Sequence, residues 1–143
     1  MAAESVLLNF LKFLSELEPD GKKYFPDGTN FELGAVSTTD PTVAVMPIEG
    51  SKIESRFACG GFTASQNFAI YYRANVAGSV DNSSALELLE SLGTMLTNGK
   101  IKPVLAEPRT VESLEQIATT YKASQAGSYC DYVAQFHLVY TDE

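Results

Sequence analysis

The sequence predicts one α+β domain, a mostly antiparallel sheet flanked by two main helices. Two amphipathic runs at helical spacing and a set of short alternating runs bounded by Gly, Pro, Asn and Asp carry that expectation. The chain has 143 residues, 45% of them hydrophobic and 20% charged, with mean hydropathy of −0.03. That is the size and composition of a single globular domain, with enough chain to bury a core without a metal or disulfide staple. We therefore read residues 1–143 as one unit.

Leu7, Phe10, Leu11, Leu14 and Leu17 recur at 3.6-residue spacing, with Val6 and Phe13 widening the stripe and Asn9, Lys12, Ser15 and Glu16 opposite. The first helix is expected over Ser5 to Leu17, ending before Pro19. A Pro-Asp-Gly triplet occurs at 19–21 and again at 26–28, so residues 19–30 read as an exposed loop with two turns. Short strand-like runs follow at Phe31 to Leu33 and at Thr42 to Met46, separated by the polar tract Ser37 to Asp40.

Ile53, Ser55 and Phe57 alternate with Glu54, Arg56 and Ala58. Across Gly60-Gly61, Phe68, Ile70, Tyr72 and Ala74 share one face while Ala69, Tyr71 and Arg73 share the other. The pair 53–58 and 66–75 reads as an antiparallel hairpin. Residues 78–84 offer N-cap candidates for a second helix over Leu86 to Leu96, and Gly99 stands where a C′ glycine belongs. The stretch Lys100 to Arg109, with Pro103 and Pro108, reads as irregular. A final strand pair is expected at about Leu114 to Ala123 and Cys130 to Tyr140, joined through residues 125–128, with Tyr132, Ala134, Phe136, Leu138 and Tyr140 on one face.

Charge limits the partners. The formal net charge is −8, and nine acidic against five basic residues occur both in 1–60 and in 61–143. Acidity spread this evenly argues against wrapping nucleic acid, whose phosphates require a basic face, and is compatible with a pore through which DNA slides without adhering. The start of the chain has no basic flank, and its apolar run is broken by polar residues, so neither a secretory signal nor a membrane span is expected. Cys59 and Cys130 are far apart and read as reduced thiols of a cytoplasmically made protein.

No nucleophile elbow, phosphate loop, dinucleotide fingerprint or zinc spacing occurs in the sequence. The single histidine, His137, lies among Val133, Gln135 and Val139 on one strand face, without the neighbours a metal would need. Asp20 and Asp27, with Glu18 and Glu32 near them, offer oxygen donors for calcium, but the turn reading accounts for them. Tyr71 and Tyr72 cannot form one base-stacking platform, since successive strand residues face opposite ways. We expect no catalytic residues, no metal and no cofactor.

The order of features resembles the minor capsid or tail terminator proteins of bacteriophages and prophages of Gram-positive bacteria. The residues that carry the likeness are the N-terminal helix, Gly60-Gly61-Phe62 followed by Gln66 to Ala74, the Leu-rich helix at 86–96, and the closing run Asp131 to Tyr140. The resemblance implies a homo-oligomeric ring, commonly a hexamer, that caps the tail tube at its head-proximal end. Its partners would be the tail tube protein and a head completion or connector protein, with genome DNA passing through the lumen and no membrane involved. It implies a virion location for a protein made in the host cytoplasm. Lys52, Arg56, Arg73, Lys100 and Lys102 are candidates for pairing between subunits, because an acidic chain has few cations to offset its own repulsion. The alternatives are a head-side completion or connector component, or a small-molecule binding α+β domain with its pocket between sheet and helices.

Overall fold

The computed structural model describes residues 3–18, 21–25, 29–34, 42–48, 52–56, 60–75, 83–105, 109–126 and 129–142. Helix α1 spans Ala3–Ser15 and α2 spans Ser83–Thr97. The strands are β1 (Asn30–Leu33), β2 (Thr42–Pro47), β3 (Lys52–Arg56), β4 (Phe62–Asn75), β5 (Arg109–Ala126) and β6 (Tyr129–Asp142). They form one six-stranded sheet. Five strands run in the order β1-β2-β4-β6-β5, and β3 pairs with β4 beside that path. All pairings are antiparallel except β1 with β2. The expected α+β class, with a mostly antiparallel sheet and two helices, is the observed one.

The register shows how β4 organises the sheet. Its C-terminal half meets β2, from Thr42↔Arg73 to Pro47↔Phe68, and its N-terminal residues Phe62–Ser65 meet β3. Strands β2 and β3 thus follow one another along the same edge of β4. The hairpin expected between 53–58 and 66–75 is present as β3 with β4, with its register moved: β4 begins directly after Gly61, so its first four residues pair with β3 and residues 68–73 pair with β2. Phe57 and Ala58 lie outside the described residues, as do the tract Ser37 to Asp40, the turn residues Pro19, Asp20, Pro26, Asp27 and Gly28, and the N-cap candidates at 78–82. Of the first Pro-Asp-Gly turn, Gly21 is described, with φ of +79° and its N–H donating to the Glu18 carbonyl.

Both helices lie on one face of the sheet. Phe68 of β4 and Phe136 of β6 are register partners whose rings stack 5.6 Å apart. The Phe10 ring of α1 reaches Phe68 at 4.8 Å, and a Cβ on Gly93 of α2 would sit 3.5 Å from Phe136. Val6, Leu7, Phe10, Leu11 and Leu14 from α1, and Leu89, Leu92 and Leu96 from α2, are buried against Val43, Val45, Ile70, Tyr72 and the even-numbered residues Cys130 to Tyr140. Each fully buried Leu or Phe contributes about 1.5–3 kcal/mol of transfer free energy. Tyr24 fastens the segment after α1 to α2 by donating its hydroxyl hydrogen bond to the Leu88 carbonyl.

Strand β5 begins at Arg109, five residues before the expected Leu114, and it occupies the sheet edge next to β6. Its pairing with β6 slips at four places between Val111 and Ser124. Such bulges twist an edge strand and interrupt the row of free backbone groups that another strand would need. No helix among the described residues is long and apolar enough to cross a membrane.

Candidate interaction surface

Three surfaces stand out from the packed core: a strap after α2, a groove between α2 and β5, and the sheet face that the helices leave open. The strap begins at the end of α2. Asn98 accepts a hydrogen bond from the Lys100 N–H through its side chain, Gly99 takes φ of +85°, and the Ile101 N–H returns to the Met95 carbonyl. Gly99 therefore terminates the helix as its sequence position implied. From there the chain has no strand partners among the described residues, and its burial alternates. Ile101, Pro103 and Leu105 turn toward the core, whereas Lys100, Lys102 and Val104 are exposed. Val104 is 71% exposed, the most of any large hydrophobic side chain among the described residues. On either side of it lie open grooves, one of about 780 Å³ toward Val111 and Leu114 of β5 and one of about 560 Å³ toward Phe13 and Leu17 of α1.

On the flank of α2, Glu90 and Thr94 face β5 residues 116–120 across an open groove of about 540 Å³. Close approach of helix and strand explains its shape. Gly93 is buried, and a side chain there would meet Gln116 Oε1 at 2.6 Å. Gln116 Nε2 in turn donates to the Ala118 carbonyl at 2.9 Å and to Thr120 Oγ1 at 3.1 Å, which holds the bulged segment in place. That segment presents Ile117, 49% exposed, and Tyr121, 43% exposed. Glu87, one turn from Glu90, is exposed as well. Among the described residues no ion pair engages Glu87, Glu90, Lys100 or Lys102.

The open sheet face carries polar rows beside Ala69, Tyr71, Val133 and Val139. Asn67, His137 and Glu115 form one cross-strand row, with His137 Nδ1 2.6 Å from Asn67 Oδ1. Glu112 accepts a 2.7 Å hydrogen bond from Thr141, and Gln135 reaches the Tyr121 hydroxyl. Arg73 and Asp131 are register partners joined by two hydrogen bonds of 2.7 and 2.8 Å, with side chains only 20% and 8% exposed. At the start of the β5–β6 ladder Arg109 meets its register partner Asp142 at 3.3 Å and reaches Asn9 of α1 on the helix side.

The five cations singled out in the sequence thus separate. Arg73 has its charge matched within its own sheet, Lys100 and Lys102 stand together on the strap, and Lys52 and Arg56 lie on β3, where their side chains fall outside the described ones. The exposed Val104, Ile117, Glu87 and Glu90 were not among the candidates. The alternation of Lys100 to Leu105 was a readable signal for the first of them. The others depend on which flank of α2 meets β5, which the sequence does not state. His137 sits in a cross-strand hydrogen bond, and among the described residues no cluster of three His, Cys, Asp or Glu side chains is arranged to hold a metal. Glu18 is exposed and Glu32 lies half-buried on β1, while Asp20 and Asp27 fall outside the described residues.

No protein-family model matches the chain, and no curated protein matches it in sequence.

Proposed function

We propose that the chain is a structural virion protein, a phage tail terminator whose copies form a ring at the head-proximal end of the tail tube. The observation that carries this reading is a two-layer domain with unlike exposed patches: Val104 following two lysines on the strap, and Ile117 across the groove from Glu90 on the α2–β5 flank. A surface that fits a different surface of the same molecule makes head-to-tail contacts, and such contacts close into a ring when the rotation between copies allows. The order of elements supports the family resemblance: a helix, a sheet built around a long central strand, a Leu-rich helix and a long terminal strand pair.

In this reading the helical layer lies outside and the open sheet face looks toward the lumen. Tube growth ends because the ring presents a surface unlike that of the tube subunit, so the next tube ring finds no complementary partner. Electron microscopy of the protein mixed with preassembled tail tubes tests it. Ring density at the head-facing tube end is the expected result. Tubes bare at both ends, with the protein folded, would overturn the terminator assignment.

A further inference from the structure

We propose that the 100–105 strap of one copy docks into the α2–β5 groove of the next, with Lys100 and Lys102 facing Glu87 and Glu90 and Val104 seated against Ile117. This names the contact that the ring reading requires, and to that extent rests on it.

Three observations converge on a second copy of this chain as the occupant. The strap is anchored from beneath by Ile101, Pro103 and Leu105, so its outward stripe is presented on a fixed base instead of a loose loop. Its stripe is two cations and one apolar residue in a chain of net charge −8. The groove is its complement: Glu90 lines it on the helix side, the exposed Glu87 stands one turn away on α2, and Ile117 lies on the strand side, with none of the four charges matched within the chain among the described residues.

The spacing suits the pairing. Lys100 and Lys102 are two residues apart on the strap, and Glu87 and Glu90 are one turn apart on the helix, ~4.5 Å along its axis. Lysine and glutamate side chains are long enough to bridge the two spacings. The bulges in β5 matter here as well. They make the β5 edge a poor template for strand addition and leave the groove beside it as the place for contact. Strap and groove share no residue, so one copy can use both at once, and with a different neighbour at each the contact is heterologous.

Charge reversal in pairs tests the contact, with molar mass read by analytical ultracentrifugation of the full chain over a wide concentration range at low salt. The native chain is expected to associate, and the association is expected to weaken as salt is raised. One variant carries Lys100→Glu with Lys102→Glu, and the other carries Glu87→Lys with Glu90→Lys. Each alone is expected to lose at least tenfold in association constant. Their equimolar mixture is expected to regain it, since an acidic strap then meets a basic groove and a basic strap meets an acidic one. Val104→Asp, at an exposed site, is expected to weaken association while the melting temperature stays unchanged.

Association of the native chain that survives both reversals, or that the mixture fails to restore, overturns this contact and leaves the ring reading standing. A native chain that stays monomeric at millimolar concentration also overturns it. Bare tube ends in the electron microscope, by contrast, remove the terminator assignment and leave the contact untouched.

Discussion

At the scale of single residues, one ion pair joins the two central strands on the open sheet face. Arg73 and Asp131 lie opposite each other, are mostly buried, and are held together by two charge-assisted hydrogen bonds. Removing one partner takes those two bonds from the other in a desolvated place. Asp131→Ala is therefore expected to cost about 2–3 kcal/mol in urea unfolding, and replacing both residues with apolar ones of similar size is expected to recover most of that loss. A single-variant cost near zero would show that solvent reaches the pair.

The tyrosines give a second residue-scale expectation. Burial pushes the Tyr24 phenol up to about 12, against a smaller opposing effect of its hydrogen bond with Ser91, and burial raises Tyr72 and Tyr140 as well. Tyr132 is also pushed up to about 12, by burial first and then by the adjacent Cys130. The unfolded chain ionises its phenols near pH 10, before the folded one does, so the stability these groups confer is complete below pH 10 and is lost as pH rises toward about 12. Unfolding free energy measured across that window should fall, with the rise in phenolate absorbance accompanying unfolding. Tyr24→Phe should make the fall shallower.

At the scale of elements, α2 and β5 depend on a glycine that no helix needs for its own sake. Gly93 lets the helix approach until Gln116 fills the space where a side chain would be, and Gln116 then fixes the bulge. Gly93→Ala should gain roughly 1 kcal/mol of helix propensity while displacing a flexible side chain, so the net change in stability should be small. Hydrogen exchange across 116–121 should nonetheless rise as the bulge loses its two bonds. Gly93→Val adds branching near Phe136 and should cost about 2 kcal/mol. An unchanged exchange pattern in the alanine variant would show that the bulge holds without Gln116.

Element scale is also where legibility divides. Both helices were readable because the burial of their described side chains follows one period, and the last strand was readable because every second residue from Cys130 to Tyr140 enters the core. In β5 each bulge shifts the alternation by a residue, so Val111, Leu114, Ile117 and Tyr121 fall at uneven spacing and the first five residues of the strand, after Pro108, read as loop. The partner of β3 was readable, but the start of β4 at Phe62 and the half of it that β3 meets were not, because hydrophobic alternation gives the face of a strand and not which neighbour pairs with which half of it. Of the candidate surface, two lysines were visible as scarce cations. Their carboxylate counterparts became visible only when the fold set α2 against β5.

At the scale of the whole molecule, the balance of charge makes a statement about DNA that the ring would amplify. The exposed carboxylates of Glu112 and Glu115 lie on the open sheet face, and the one strong cation described there, Arg73, is already paired with Asp131. If that face lines the lumen, each copy repeats the same charges around the passage. A repulsion too weak to matter for one chain then acts along the whole circumference, and DNA within it is kept from adhering. Duplex DNA titrated with the free protein at about 50 mM salt, where phosphate contacts are strongest, should accordingly show no binding. Binding by the native chain, with a logarithmic salt slope of several units, would mean that a basic face exists and would end the lumen assignment for this sheet. Glu112→Lys with Glu115→Lys should create the opposite case. Assembled rings of that variant should retain DNA more strongly than its monomer does, because only the ring gathers the new cations around one duplex.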